Sequence, residues 1–249
     1  MISIKTEEEL SLMREAGRIL SSVFDEISKN VRVGVNAGFI DKLAHDAIKK
    51  RGGLPAFLGY SGYKYSTCIS KNEEIVHGIP HEDKVLYPGD ICSIDVGVIY
   101  KGMYADAART FVLESVDDHI EKLVKVTEES FYQGIGFAKS GNYLGDISHA
   151  IQTHVETAGF TIVKDLYSHG IGKSLHEDPL IPNYGKKGKG LRLKTGMTFA
   201  IEPMVNIGTK DILTLEDKWT IITADRKWSA HYENTIVVTD NGPEILTIH

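Results

Sequence analysis

The sequence predicts an α+β protein built from two similar halves with a site between them. Two helix-forming stretches followed by strand-forming ones occupy residues 6–113, and the same order recurs over 118–239. Late strands of each half carry single acidic residues in apolar surroundings. No linker or low-complexity segment separates the halves, so they are expected to pack as one domain spanning 1–249. Their mutual identity is too weak to be a sequence repeat.

The elements follow in order. Thr6-Glu7-Glu8-Glu9 has the form of a capping box, and Leu10, Met13, Ile19, Leu20, Val23, Phe24 and Ile27 come next at near-helical spacing. A second helix, over about 37–51, gathers Ile40, Leu43, Ala44, Ala47 and Ile48 and stops at Gly52-Gly53. Ile91–Tyr100 is rich in β-branched residues, Lys101-Gly102 is a turn signal, and Tyr104–Leu113 alternates, which together predict a β-hairpin. A helix over about Asp118–Lys139 carries Ile120, Leu123, Val124 and Phe131. Another, over about 143–158, carries Ile147, Ile151 and Val155. Strands are expected in FTIVKDLY (160–167), MTFAIEPMV (197–205), KWTIITA (218–224) and AHYENTIVVT (230–239).

Bulk properties exclude several classes. Hydrophobic content of 42% and charged content of 25% are ordinary globular values. No apolar run approaches the ~20 residues that cross a bilayer, and MISIKTEEEL lacks the pattern of a signal peptide. Two cysteines, Cys68 and Cys92, make no disulfide framework, so a reducing cytoplasm is the expectation; a monomer is the default. A net charge of -6 speaks against a polyanion-binding chain. One local exception gathers Lys186, Lys187, Lys189, Arg192 and Lys194; it is either a solvated glycine-rich loop or a contact for something anionic such as RNA.

Four short motifs fail. GIGKS (170–174) has Tyr167 where a phosphate loop needs glycine, and GIGFAK (134–139) has Lys139 where a dinucleotide fingerprint needs its third glycine. GYSGY (59–63) ends in Tyr63 rather than the glycine of a nucleophile elbow, and HEDPL (176–180) lacks the second histidine of a zincin helix.

The acids are harder to dismiss. With a two-residue loop at Tyr100-Lys101, Asp95 lies opposite Asp106; with the loop at Lys101-Gly102 it lies diagonal to it. Both registers put the two carboxylates on one face. At about 5 Å and an effective dielectric of about 20 their repulsion is roughly 3 kcal/mol, which a shared proton, a basic side chain or a metal cation could offset. Glu202 sits in the apolar FAIEPMV, ended by Pro203. Glu233 precedes a β-branched run and shares its face with His231 and Thr235, while His169 ends a strand between glycines at YSHGIG. Buried carboxylates are tolerated when paired or metal-bound. Four of them match the charge of two divalent cations, and with one histidine they form an oxygen-rich set suited to Mn, Fe, Co or Zn.

In that order Asp95, Asp106, His169, Glu202 and Glu233 resemble the metal ligands of the pita-bread metallopeptidases. NEEIVHGIP (72–80), SIDVGVIYKGMYADAARTF (93–111), SHGIGKSLHEDP (168–179), GMTFAIEPMV (196–205) and HYENTIVVT (231–239) resemble type I methionine aminopeptidases in particular. The resemblance runs from near the N-terminus to about residue 245. It implies helices covering a largely antiparallel curved sheet, and an exopeptidase that removes the initiator methionine from nascent polypeptides when the second residue is small. It implies two divalent metal ions that activate a water for attack on the scissile carbonyl, with Asp106 and Glu233 bridging them. Glu202 would shuttle the proton, His176 would donate to the oxyanion, and His77 would contact the peptide nitrogen. Tyr60, Tyr63, Cys68 and Trp219 would line the methionine pocket; Leu175 and Phe57 depart from the pattern of many relatives. Only 31 positions separate Glu202 from Glu233, too few for the insertion of type II enzymes, and no zinc-finger segment precedes the domain, so the short bacterial form is expected. Within the same fold, a non-catalytic peptide- or ribosome-binding protein and an X-Pro aminopeptidase are the competing expectations. The basic loop from Lys186 to Lys194 is a candidate ribosome contact.

Overall fold

The computed structural model describes residues 2–248. In the first half, α1 (Glu7–Ser28) and α2 (Ala37–Lys50) precede β1 (Leu54–Pro55), β2 (Thr67–Lys71), β3 (Glu74–Val76), β4 (Ile91–Tyr100) and β5 (Met103–Val112). The second half opens with α3 (Asp118–Ile135) and α4 (Leu144–Thr157). It continues with β6 (Thr161–Ile162), β7 (Tyr167–Gly170), β8 (Glu177–Pro182), β9 (Thr198–Ile201) and β10 (Met204–Asn206). Then come β11 (Ile212–Thr214), β12 (Ile221–Thr223), β13 (Ser229–His231), β14 (Glu233–Thr239) and β15 (Gly242–Ile245).

The main sheet runs β1-β4-β5-β14-β9-β7-β8, with β2 added to β4 and β15 to β14, and its pairings are antiparallel. Helix pairs cover one face. Ile94, Val96, Ala105 and Ala107 pack with Leu20, Val23, Ile40 and Ile48 of α1 and α2. Phe199, Ile201, Ile236 and Val238 pack with Phe131, Ile147 and Ile151 of α3 and α4. Burying each such side chain contributes about 1.5–3 kcal/mol. Because successive strand residues point to opposite faces, this pattern commits Asp95, Asp106 and Glu233 to the other side. The curled antiparallel sheet under four helices is the pita-bread arrangement.

Local chemistry explains the element ends. Thr6 Oγ1 accepts from the amide of Glu9, whose carboxylate accepts from the amide of Thr6, so the capping box forms as expected. Asn36 caps α2 through its side chain, and Gly52 leaves it at a φ of +82°. The β4–β5 turn is Lys101-Gly102, at φ of 47° and 84°, so the register pairs Tyr100 with Met103 and Asp95 with Ala108. Asp95 and Asp106 are therefore diagonal neighbours on one face.

Four expected elements are cut short or interrupted. α3 ends at Ile135, before Lys139: Gly134 and Gly136 weaken the helix there, and the backbone is engaged elsewhere, Ser140 donating to the Thr239 carbonyl. FTIVKDLY divides between β6 and β7, which lie in different sheets. AHYENTIVVT divides at Tyr232: β13 joins β10 and β6, whereas β14 joins the main sheet. MTFAIEPMV divides at Glu202-Pro203 in the same way. Among the described residues no helix is long and apolar enough to cross a membrane.

Candidate metal centre

Strand register assembles the site. Asp95 on β4 lies opposite Ala108 on β5, which lies opposite Glu233 on β14. Along the same face, Thr235 lies opposite Ala200 on β9, which lies opposite His169 on β7. Asp106 is two residues from Ala108, and Glu202 is two residues from Ala200, so both share that face. Five chemistry-bearing side chains thus project from two neighbouring rungs of one sheet. The residues between them on these rungs, Ala108 and Ala200, are small and fully buried.

At Asp106, Glu202 and Glu233 the backbone is held by side chains that are not among the five. Thr235 Oγ1 accepts from the Asp106 amide and donates to its carbonyl, at 2.8 and 2.9 Å. Ser168 Oγ accepts from the Glu202 amide at 2.8 Å, and Asn183 Nδ2 donates to its carbonyl at 2.9 Å. The Arg109 guanidinium, stacked between Phe24 and Tyr232, donates to the carbonyls of Ala108 and Glu233. Pro203 has no N–H, so β9 cannot continue as a ladder, and Glu202 is left at the crossing between two sheets.

The cluster has the chemistry of a cation site. Atoms of Asp106, His169 and Glu233 lie within 4.8 Å of one another, as do atoms of Glu202, His231 and Glu233. Asp95 Oδ1, Glu233 Oε1 and His231 Nε2 are buried without a hydrogen-bond partner. Burial pushes the Asp95 carboxyl up to about 7, with Glu202 adding to the push and His231 opposing it. Burial raises Asp106, Glu202 and Glu233 well above the usual carboxylate range, and neighbouring carboxylates add to the rise at Asp106 and Glu233. Such a set cannot ionise together in the protein alone; divalent cations would remove that cost. His169 is prepared for the same role. Its Nδ1 donates to the Gly170 carbonyl at 2.8 Å, so Nε2 presents a lone pair 3.5 Å from Glu202 Oε1, and burial lowers its pKa to about 3. A Cβ on Gly170 would stand 2.3 Å from the Asp178 carbonyl oxygen, so the tight turn beside His169 requires glycine.

Around the cluster is a cleft whose wall includes Phe57, Tyr60, Tyr63, Cys68, Leu175 and Trp219. The structure thus brings every lining candidate into one pocket, together with the two departures. Phe57 stacks where Gly97 leaves room; a Cβ there would meet its ring at 2.7 Å. Tyr63 packs edge-on to Trp219 at 4.8 Å and donates to the Thr67 carbonyl. Burial keeps the Cys68 thiol protonated, far above its ordinary range. His176 faces the cleft, its ring 4.3 Å from that of His169 and its Nδ1 2.6 Å from Tyr60 Oη. His77 also lines the cleft at a φ of 59°, and desolvation, with His231 and His176 adding, lowers its pKa to about 4.

One site residue was missed in the sequence. His231 is buried, with Nε2 3.5 Å from Glu202 Oε2. Alternation with Glu233 had placed it on the same face, but nothing in the spacing marked it as part of the cluster.

The model of metallopeptidase family M24 matches residues 11–240. The chain is 48% identical over 248 residues to a methionine aminopeptidase of Clostridium acetobutylicum, covering 100% of this chain and 99% of that one. It is 49% identical over 247 residues to methionine aminopeptidase 1 of Bacillus subtilis, covering 99% of each. The crystal structure of the methionine aminopeptidase from Thermotoga maritima superposes with a TM-score of 0.98 at 46% identity, covering 100% of both chains. Sheet, acids and relatives agree: the chain belongs to metallopeptidase family M24.

Proposed function

We propose that the chain is a methionine aminopeptidase that removes N-terminal methionine from nascent polypeptides and peptides, favouring a small second residue. The observation that carries this reading is the pair of overlapping ligand groups sharing Glu233, set at the floor of an aromatic-lined pocket. Asp95, Asp106, His169, Glu202 and Glu233 would hold two divalent ions, Co, Mn, Fe or Zn, with the whole of 1–249 acting as one catalytic unit. When bound, such ions lower the pKa of water towards about 7 and polarise a carbonyl.

The chain's own groups supply the rest. Glu202, with its raised carboxyl, takes a proton from the attacking water and delivers it to the departing amine. His176 donates to the oxygen of the scissile carbonyl as charge develops there. His77 contacts the peptide nitrogen. Tyr60, Tyr63, Cys68 and Trp219, with Phe57 and Leu175, enclose the methionine side chain, whose polarizable sulfur packs well on aromatic edges.

The readings as a non-catalytic binder or an X-Pro aminopeptidase are not favoured, because the curated relatives that match over the full chain at 48–49% identity are methionine aminopeptidases. Manganese- or cobalt-loaded protein should hydrolyse Met-Ala-Ser faster than Met-Lys-Ser and leave Ala-Pro-Ser intact, while Asp106→Ala should lose both metal and turnover. Equal rates on the first two peptides, or wild-type metal content in Asp106→Ala, would count against the reading.

We place its action, as a monomer, in the cytoplasm. Lys186, Lys187, Lys189, Arg192 and Lys194 are all exposed, which supports docking of this loop on ribosomal RNA. Changing all five to Gln should abolish salt-sensitive co-sedimentation with ribosomes; unchanged pelleting would sink that part.

A further inference from the structure

We infer that Lys5, in the segment ahead of α1, is a positioning residue for His176, acting through Glu177. The Lys5 side chain is 1% exposed, and its Nζ lies 2.7 Å from Glu177 Oε2, 172 positions away in the chain. The other Glu177 oxygen accepts from the amides of Lys173 and Ser174, at 2.6 and 3.4 Å. One carboxylate thus gathers the loop 171–176 around itself, and the next residue back along the chain is His176. The Lys5 ammonium is buried and the Glu177 carboxylate half-buried, and a buried charge is strongly disfavoured without its partner, so removing one releases what it holds.

Two glycines show that the contact is built in. A Cβ on Gly172 would lie 2.0 Å from Lys5 Cε, so a side chain there would push the lysine out of its place beneath the loop. Gly196, at a φ of +86°, accepts from the Lys5 amide at 2.8 Å, and a Cβ there would crowd Ile4. A second tie joins the same parts at the surface, Lys173 Nζ to Glu9 Oε1 at 2.6 Å. On its far side the loop is anchored to β5, where the Tyr104 amide donates to the Gly172 carbonyl at 2.8 Å. The N-terminal segment, the His176 loop and the hairpin bearing Asp106 are therefore one connected assembly. An oxyanion donor works only at the right distance, so this latch sets how well His176 acts.

The inference rests on the aminopeptidase reading, and the test separates the two. Failure of the wild-type, metal-loaded protein to release methionine from Met-Ala-Ser would overturn the reading itself. Given that activity, Lys5→Met should lower kcat about tenfold or more, short of the 10²–10³ that losing the donor outright costs. KM and metal stoichiometry should match wild type. In the His176→Ala background Lys5→Met should cost nothing further, because its effect passes through that imidazole. Hydrogen exchange, read on metal-free protein, should quicken at the amides of Lys173 and Ser174 and not in α3. An equal loss in both backgrounds, a rise in KM without a fall in kcat, or unchanged exchange would overturn the latch. Should Lys5→Met not fold, Glu177→Gln decides by the same cycle, since it keeps an oxygen for the two amides but loses the ion pair.

Discussion

At His176 the hydrogen bond and the ring packing divide the imidazole's two nitrogens between different tasks. Tyr60 Oη meets Nδ1 at 2.6 Å; with the phenol donating, the ring proton sits on Nε2, the tautomer that an oxyanion donor needs. The same Tyr60 lines the pocket, so under the proposed reading the side chain that meets the substrate would also orient the donor. An interaction made mainly in the transition state appears in kcat. His176→Ala should therefore lower kcat by about 10²–10³ while KM stays near wild type. Metal content, measured by mass spectrometry, should be unchanged, because His176 is not among the proposed ligands. A variant that keeps its kcat, or that loses its metal, would remove the residue from this role. Burial also lowers the pKa of His176, which keeps the ring neutral near pH 7.

Among the elements, the β4–β5 hairpin sets the most geometry from the fewest residues. Lys101-Gly102 supplies two left-handed positions in sequence, and that turn fixes which residues of β4 face which residues of β5. A Cβ on Gly102 would meet nothing, so Gly102→Ala carries conformational strain alone, at a φ of 84°. It should cost about 1 kcal/mol and lower Tm by about 2–4 °C, with activity per folded molecule retained. A larger loss of activity than of stability would show that the turn does more than set register. This hairpin was legible in the sequence because period-two patterning and a turn dipeptide are local signals, although two registers fitted the same residues. The capping box on α1 was legible for the same reason. His231 was not: alternation runs unbroken through Tyr232, whereas the chain there leaves one sheet for another. The Lys5–Glu177 pair was equally invisible, since no local pattern joins positions 172 residues apart. Glu202 lay between. Pro203 marked the strand's end, and only the folded chain shows that this end lies where two sheets meet over the other acids.

For the whole molecule, assembling four carboxyls on one face makes stability depend on cations and on pH together. In metal-free protein the raised carboxyls keep protons that the unfolded chain gives up near pH 4. Their contribution is full below about pH 4 and is lost as pH rises through the folded value, about 7 for Asp95. Histidines work the other way. His169, lowered to about 3, and His77 and His231, lowered to about 4, contribute fully above about pH 6.5 and lose that contribution as pH falls. Divalent ions reverse the carboxyl part, since carboxylates held by cations stay charged and favour the folded state above about pH 4. The two carboxyl effects have opposite slopes, so the stabilisation gained by adding metal widens as pH rises. At a metal concentration of about a hundred times Kd the gain is about 2.7 kcal/mol, or roughly 5–10 °C in Tm for a chain of this size. Scanning calorimetry of EDTA-treated protein, with and without manganese, should show that shift at about pH 7.5. At about pH 5, where protons compete for the same oxygens, most of it should vanish. A gain no larger at the higher pH would mean that the carboxyls of Asp95, Asp106, Glu202 and Glu233 are not what holds the ions.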